Sequence, residues 1–203
     1  MHVLHVGKYY PPYRGGIETV VEQLCRGLAR RGVEITALVS NDGPTTVDET
    51  IDGVRVLRLG RTVELNSQPL NLRLIPELRR KRFDALHFHT PNPVGALAVL
   101  AAHRAESLVV THHSDIVRQR WLGVPATVVQ SLLYRRAAAL IAATPKHIEH
   151  STVLRRFESK CRVIHFPIDA LPYVDARPVW DEQLPQTWQN EPLVLFVGRL
   201  VYY

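Results

Sequence analysis

Histidines collect in two short segments of this chain, and imidazole is the side chain whose proton chemistry falls nearest neutral pH. His87 and His89 alternate along DALHFHTP at 84–91, so a strand there turns both rings to one face. His112, His113, Ser114 and Asp115 stand together in VVTHHSD at 109–115. Two chemistries fit these residue types. His87, His89, His112 and Asp115 offer imidazole and carboxylate ligands to zinc or iron. Alternatively, one histidine hydrogen-bonds a sugar or a phosphate, and His112 is singled out because it begins the loop just beyond its strand. The plain alternative is a set of loop histidines satisfied by backbone groups.

A second feature is built from backbone. The strand HVLHVG is followed by KYYPPYRGGIETVVEQLCRGLARRG at 8–32. Strand, glycine loop and helix is the layout that turns N–H groups and a helix N-terminus toward an anion. Gly15 and Gly16 are the residues at that turn. The spacing is neither GxGxxG nor GxxxxGK[ST], so neither a dinucleotide fingerprint nor a P-loop is present. Glu18 in the first helical turn complements the helix N-terminus. Arg199, next to Gly198 after the last apolar run, could neutralise a diphosphate or could be a solvated surface arginine.

The elements that must hold these residues follow from periodicity. Apolar runs at 3–6, 33–39, 54–59, 85–88, 108–111, 140–143 and 161–166 predict strands. Helical spacing predicts helices over 17–31, 70–81, 94–103, 128–136 and 146–155, with Gly32 stopping the first. Residues 40–53 read as a polar loop. Alternation of this kind, with strands apolar on both faces, predicts an α/β fold: a Rossmann-like parallel sheet flanked by helices. The composition changes after Asp169. Residues 1–169 read as one domain and the proline-rich 170–192 as a linker. Residues 193–203 read as the first strand and turn of a second domain, so the chain is expected to be the front part of a longer protein.

With 203 residues, 46% hydrophobic and 22% charged, the chain has ordinary globular composition. Its net charge of +6 suits anionic ligands or surfaces without choosing among them. Basic run 79–82 and the segment 118–136 could dock on anionic lipid or could be solvated helix ends. Two distant cysteines, Cys25 and Cys161, read as free thiols of a reducing compartment. No signal peptide or membrane-spanning run is visible, which predicts a cytoplasmic chain, at most peripheral at the inner face of the membrane.

Taken together, 8–38, 84–91, 109–115, 137–151 (AAALIAATPKHIEHS), 163–169 (VIHFPID) and 193–200 (LVLFVGRL) resemble the family 4 glycosyltransferases, retaining enzymes of the GT-B fold. Pro167 departs from the glycine the family often has there. The resemblance implies the N-terminal, acceptor-side half of a two-domain architecture. It implies a nucleotide-diphosphate sugar as co-substrate, no metal and no other cofactor, a carbohydrate or lipid-linked acceptor, and no nucleic-acid partner. His112 carries over as the histidine at the reacting centre. Gly15, Gly16, His89, His113 and Asp115 carry over to substrate binding, and Arg199 to the donor diphosphate. A chain lacking the downstream lysine and paired glutamates is expected to be inactive alone. Two other classes compete: a metal-dependent hydrolase built on the histidines, and a non-catalytic nucleotide- or membrane-binding module.

Overall fold

The amphipathic run after the first strand forms a helix because Ile17, Val20, Val21, Leu24 and Leu28 fall on one stripe. In the computed structural model, which describes residues 1–60, 63–65, 68–71, 73–115 and 123–170 and positions 174, 192, 194 and 196, it is α1 (Gly16–Ala29). Arg30 and Arg31 follow it. The amide of Gly32 donates to Ala29 O and that of Val33 to Leu28 O, a closure that satisfies the last carbonyls. The chain packs as two units, Met1–Pro167 and Ile168–Tyr203, and every element below belongs to the first.

Eight strands form one sheet in the order β10-β9-β8-β7-β1-β2-β4-β3. They are β1 (His2–Val6), β2 (Glu34–Ser40), β3 (Val47–Ile51), β4 (Val54–Leu59), β7 (Ala85–Thr90), β8 (Ser107–His112), β9 (Ala139–Ala142) and β10 (Cys161–Val163). A separate hairpin pairs β5 (Val63–Leu65) with β6 (Gln68–Leu70). The other helices are α2 (Leu74–Arg80), α3 (Pro93–Ala102), α4 (Gly123–Arg136) and α5 (Pro145–His150), followed by a 3-10 segment at Leu154–Lys160. Every pairing in the large sheet is parallel except β3 on β4. The sheet is therefore mixed, not purely parallel.

Side chains alternate between the two faces. Leu4, Val6, Leu86, Phe88, Leu108, Val110 and Leu140 enter one core with α2, α3 and α4. Val3, Ile35, Ala37, Val39 and Val56 meet Val21 and Cys25 of α1 in the other. Both cysteines are free; Cys25 is buried and Cys161 half-buried. Strand β1 is followed by β2 on one side, whereas β7 to β10 build outward on the other. The order thus reverses between β1 and β7, the place where open α/β sheets leave a crevice at the carboxyl ends of their strands.

Four local expectations need correction. Residues 40–53 are not one loop, because VDETI alternates and forms β3. Its link to β4 is the pair Asp52-Gly53, with φ of 50° and 79°, the two-residue turn that Asp-Gly favours. The second helix begins at Leu74, after β6, and Asn71 Oδ1 accepts the Arg73 amide just before it. The helix expected over 146–155 breaks at Ser151 and resumes as the 3-10 segment. The strand expected over 161–166 ends at Val163, 41% exposed on the sheet's edge, with one further bond from the Ile164 amide to Ala142 O. Of the strand expected over 193–197 only positions 194 and 196 are described; neither lies in a strand and both are exposed, and the other three lie outside the described residues.

Leu140 is fully buried in β9 between β8 and β10. Leu140→Ala should lower stability by about 3 kcal/mol, read from the urea midpoint at unchanged slope. Val163→Ala should change it by less than about 1 kcal/mol. Equal losses at the two positions would contradict the placement of the core.

Candidate functional site

The parallel strands bring the chemistry-bearing segments to one edge. The glycine loop leaves the end of β1, while His89 and Thr90 end β7 and His112 ends β8. The register sets His5 beside His87, and Thr90 beside His112.

The sheet then divides the histidines. On one face His5, His87 and His89 pile together, with ring centroids 4.7 Å apart for His5–His87 and 4.4 Å for His87–His89. His5 Nδ1 lies 3.3 Å from His89 Nε2, and His89 Nδ1 lies 3.1 Å from His113 Nε2, a chain of nitrogens running out to the loop. His87 Nε2 meets Thr111 Oγ1 at 2.6 Å. Burial disfavours the charged form of every ring in this pile. It lowers His5 to about 4 and His113 to about 3, and holds His87 and His89 well below the ordinary range. His5 Nε2 is buried without a partner among the described residues.

His112 faces the other way, into the core with α4. Its Nδ1 lies 2.7 Å from Tyr134 Oη and 3.4 Å from Gln130 Nε2, which also donates to Tyr134 Oη at 2.8 Å. The Gln130 amide points a proton at Nδ1, which favours Nδ1 as acceptor and the ring proton on Nε2, while the single Tyr134 proton is shared between Nδ1 and Thr90 Oγ1, 3.2 Å away. Nε2 lies 3.2 Å from Asp115 Oδ1 without the alignment of a hydrogen bond, and it is buried with no other partner among the described residues. Burial lowers His112 to about 4, with Asp115 opposing and His147 adding to the shift. Asp115 is held by Ser151 Oγ, which donates at 2.7 Å. The neutral ring therefore carries one N–H at the site edge whose nearest acceptor, Asp115 Oδ1 at 3.2 Å, is poorly aligned for a bond.

The loop after β1 is clamped from below. Arg58, 8% exposed, donates from Nη1 to Tyr10 O at 2.9 Å, from Nη2 to Pro11 O, and from Nε to Glu49 at 2.6 Å. Tyr9 and Tyr13 stack at 4.1 Å. Together with Ser40, Asn41 and Asp42 they border a cleft of about 110 Å³. Gly15 precedes α1 in extended conformation, and a Cβ there would meet only the movable end of the Glu18 side chain. Gly16 has open space where a side chain would project.

The expected site residues thus fall into two groups. Gly15, Gly16, His112, His113 and Asp115 reach the carboxyl edge, whereas His89 is buried and joins it only through His113. Arg199 lies outside the described residues. The metal set chosen from sequence does not converge, since His87 and His89 lie on one face and His112 on the other. Among the described residues, the ring nitrogens that do gather, within 4.8 Å of one another, belong to His5, His87 and His89. Arg58, Tyr134, Gln130, Ser151 and His147 escaped the sequence reading. The Asp-Gly hairpin signal would have placed Arg58 opposite Val47, one diagonal step from Glu49 on the same face; nothing local marks Tyr134, which meets His112 only through the fold.

Residues 15–167 match the family model described as a glycosyl transferase 4-like domain. The chain is 31% identical to an O-antigen chain mannosyltransferase C of Escherichia coli, over 100% of this chain and 55% of that protein. It is 30% identical to the D-rhamnosyltransferase WbpZ of Pseudomonas aeruginosa, over 100% of this chain and 54% of that protein. The chain therefore spans about half the length of these curated relatives. A sucrose-phosphate synthase from Thermosynechococcus elongatus superposes with a TM-score of 0.59 at 16% identity, over 81% of this chain and 47% of the other. Anabaena HepE in complex with UDP and glucose does so with a TM-score of 0.53 at 17% identity, over 85% of this chain and 46% of the other. These two likenesses show the α/β fold that such GT-B structures carry over about half of their length.

Two outcomes follow from the geometry. Arg58→Ala removes charge-assisted bonds to two loop carbonyls and should cost about 2–3 kcal/mol. It should also speed amide exchange across 8–14; unchanged exchange there would contradict the clamp. The lowered histidines make the unfolded chain bind more protons than the native one below pH 6.5. Their stabilising contribution is complete above about 6.5 and is lost as pH falls toward 4. His5 alone should account for about 2 kcal/mol lost between pH 7.5 and 5. Urea midpoints at the two pH values measure this, and a flat profile would contradict it.

Proposed function

Because this chain belongs to the glycosyl transferase 4-like family, we propose that it forms the acceptor-side half of an enzyme that moves a hexosyl group from a nucleotide-diphosphate sugar to an acceptor hydroxyl, with retention of configuration. The observation that carries the reading is the His112 Nε2–H, buried and unbonded at the carboxyl edge of β8. A buried donor without a partner in a native fold calls for a ligand or an ordered water. Held neutral, with its tautomer favoured by Gln130, the ring can donate to an oxygen of the donor sugar and cannot act as a cation there. The N-terminus of α1, with Gly16 open above it, suits the negative edge of the donor phosphates.

The acceptor hydroxyl attacks the anomeric carbon on the face from which the diphosphate departs. The bond to the phosphate oxygen breaks as the new glycosidic bond forms, through an oxocarbenium-like state, and the hydroxyl proton passes to the leaving phosphate. Arg199 and the helix N-terminus stabilise the negative charge that builds on the diphosphate, which is the largest contribution to rate in sites of this type. No metal is required for that role. His113 and Asp115 line the acceptor side, and His89 holds His113 in place. The O-antigen chain named for the Escherichia coli relative supports a polysaccharide or lipid-linked oligosaccharide acceptor.

The test is a transfer assay with radiolabelled UDP- and GDP-sugars on the complete enzyme carrying this chain. His112→Ala should lower kcat by roughly 10²–10³-fold with little change in donor KM. The 203-residue chain alone should give no turnover. Wild-type rates in the variant would remove His112 from the reacting centre, and robust turnover by the chain alone would overturn the half-site reading.

A further inference from the structure

The outer face of α3 and α4 breaks the pattern of a surface helix pair. From Pro93 to Ala102, α3 has no polar side chain, yet Leu97 is 54% exposed and Ala101 also faces solvent. A helix apolar all round is expected to be covered on every side. On the neighbouring α4, Val128 and Leu132 sit one turn apart and are 53% and 46% exposed. Arg136 ties the pair together by donating to Leu100 O at 2.6 Å.

Positive charge borders this apolar stripe. Arg104, Arg135 and Arg136 are exposed at the C-terminal ends of the two helices. The basic run 79–82 ends α2, which packs against α3. Segments 85–105 and 116–148 contain no Asp or Glu. Among the described residues, no ion pair engages Arg79, Lys81, Arg82, Arg104 or Arg135.

We propose that the α3–α4 face docks on an anionic lipid bilayer, with Leu97, Val128 and Leu132 entering the interface and the surrounding arginines meeting the headgroups. Apolar insertion and basic attraction together are the two signals that interfacial binding needs. A second copy of the chain fits poorly, since its charge of +6 has the same sign. Nucleic acid fits poorly as well, because the centre of the patch is aliphatic and offers no ring for base stacking.

The purified chain should float with phosphatidylcholine vesicles containing about a quarter phosphatidylglycerol, should not float with pure phosphatidylcholine, and should be released by about 0.5 M salt. Arg104→Glu combined with Arg135→Glu should weaken binding at least tenfold, and Leu97→Ser combined with Leu132→Ser should abolish it. All four positions are exposed, and an unchanged urea midpoint certifies each fold. Wild-type chain that stays unbound, binds neutral vesicles equally or resists salt would overturn the proposal, as would variants that bind like wild type. Dimerisation lost in the leucine variant, or a preference for homopolymer RNA over vesicles, would overturn it in favour of those occupants.

Discussion

The pairing of β1 with β7 is the constraint on which the rest of this fold depends. It is where the strand order reverses, so the chain leaving β1 and the chain leaving β7 diverge to opposite sides of the sheet. That divergence opens the crevice and puts the glycine loop, the end of β7 and the end of β8 on one edge. The same register sets His5 against His87, which forces a polar pile into the middle of the sheet. The site and the buried histidines are therefore consequences of one pairing.

Burial and hydrogen bonding act together on those histidines. A buried ring cannot easily carry charge, and the neutral form must then be one tautomer or the other. On the α1 side the nitrogens pass from His5 through His89 to His113. On the α4 side Tyr134 and Gln130 fix His112. The end of β8 and the residue after it thus deliver two neighbouring imidazoles to opposite faces, each held by a different network. A neutral, oriented N–H is a directional contact for a sugar or phosphate oxygen, and it avoids the cost of a buried cation.

Much of this arrangement was legible in the residues. The α1 stripe and Gly32, the strand at 85–88 and the strand at 108–111 all read correctly because their periodicity reports burial directly. The edge location of Gly15, Gly16 and His112 followed from strand ends. The β3–β4 hairpin was missed although Asp52-Gly53 announces it, because the charged residues of VDETI conceal a short edge strand. The separation of His112 from His87 and His89 was also legible in principle, since it requires only the parity of β8 against β7. The hold of Arg58 on the loop after β1 was not legible, nor was that of Tyr134 on His112. Arg58 reaches Tyr10 O and Tyr134 reaches His112 across 48 and 22 residues of sequence, and no local pattern encodes those contacts.

The central claim is that His112 presents its Nε2–H to the donor at the carboxyl edge of the sheet. The most direct measurement is a crystal structure of the complete enzyme with an intact nucleotide-diphosphate sugar. The account predicts a donor oxygen within hydrogen-bond distance of His112 Nε2 and the phosphates beside Gly16 at the start of α1. A complex in which the sugar lies elsewhere, with His112 Nε2 bonded only to protein or water, would contradict it.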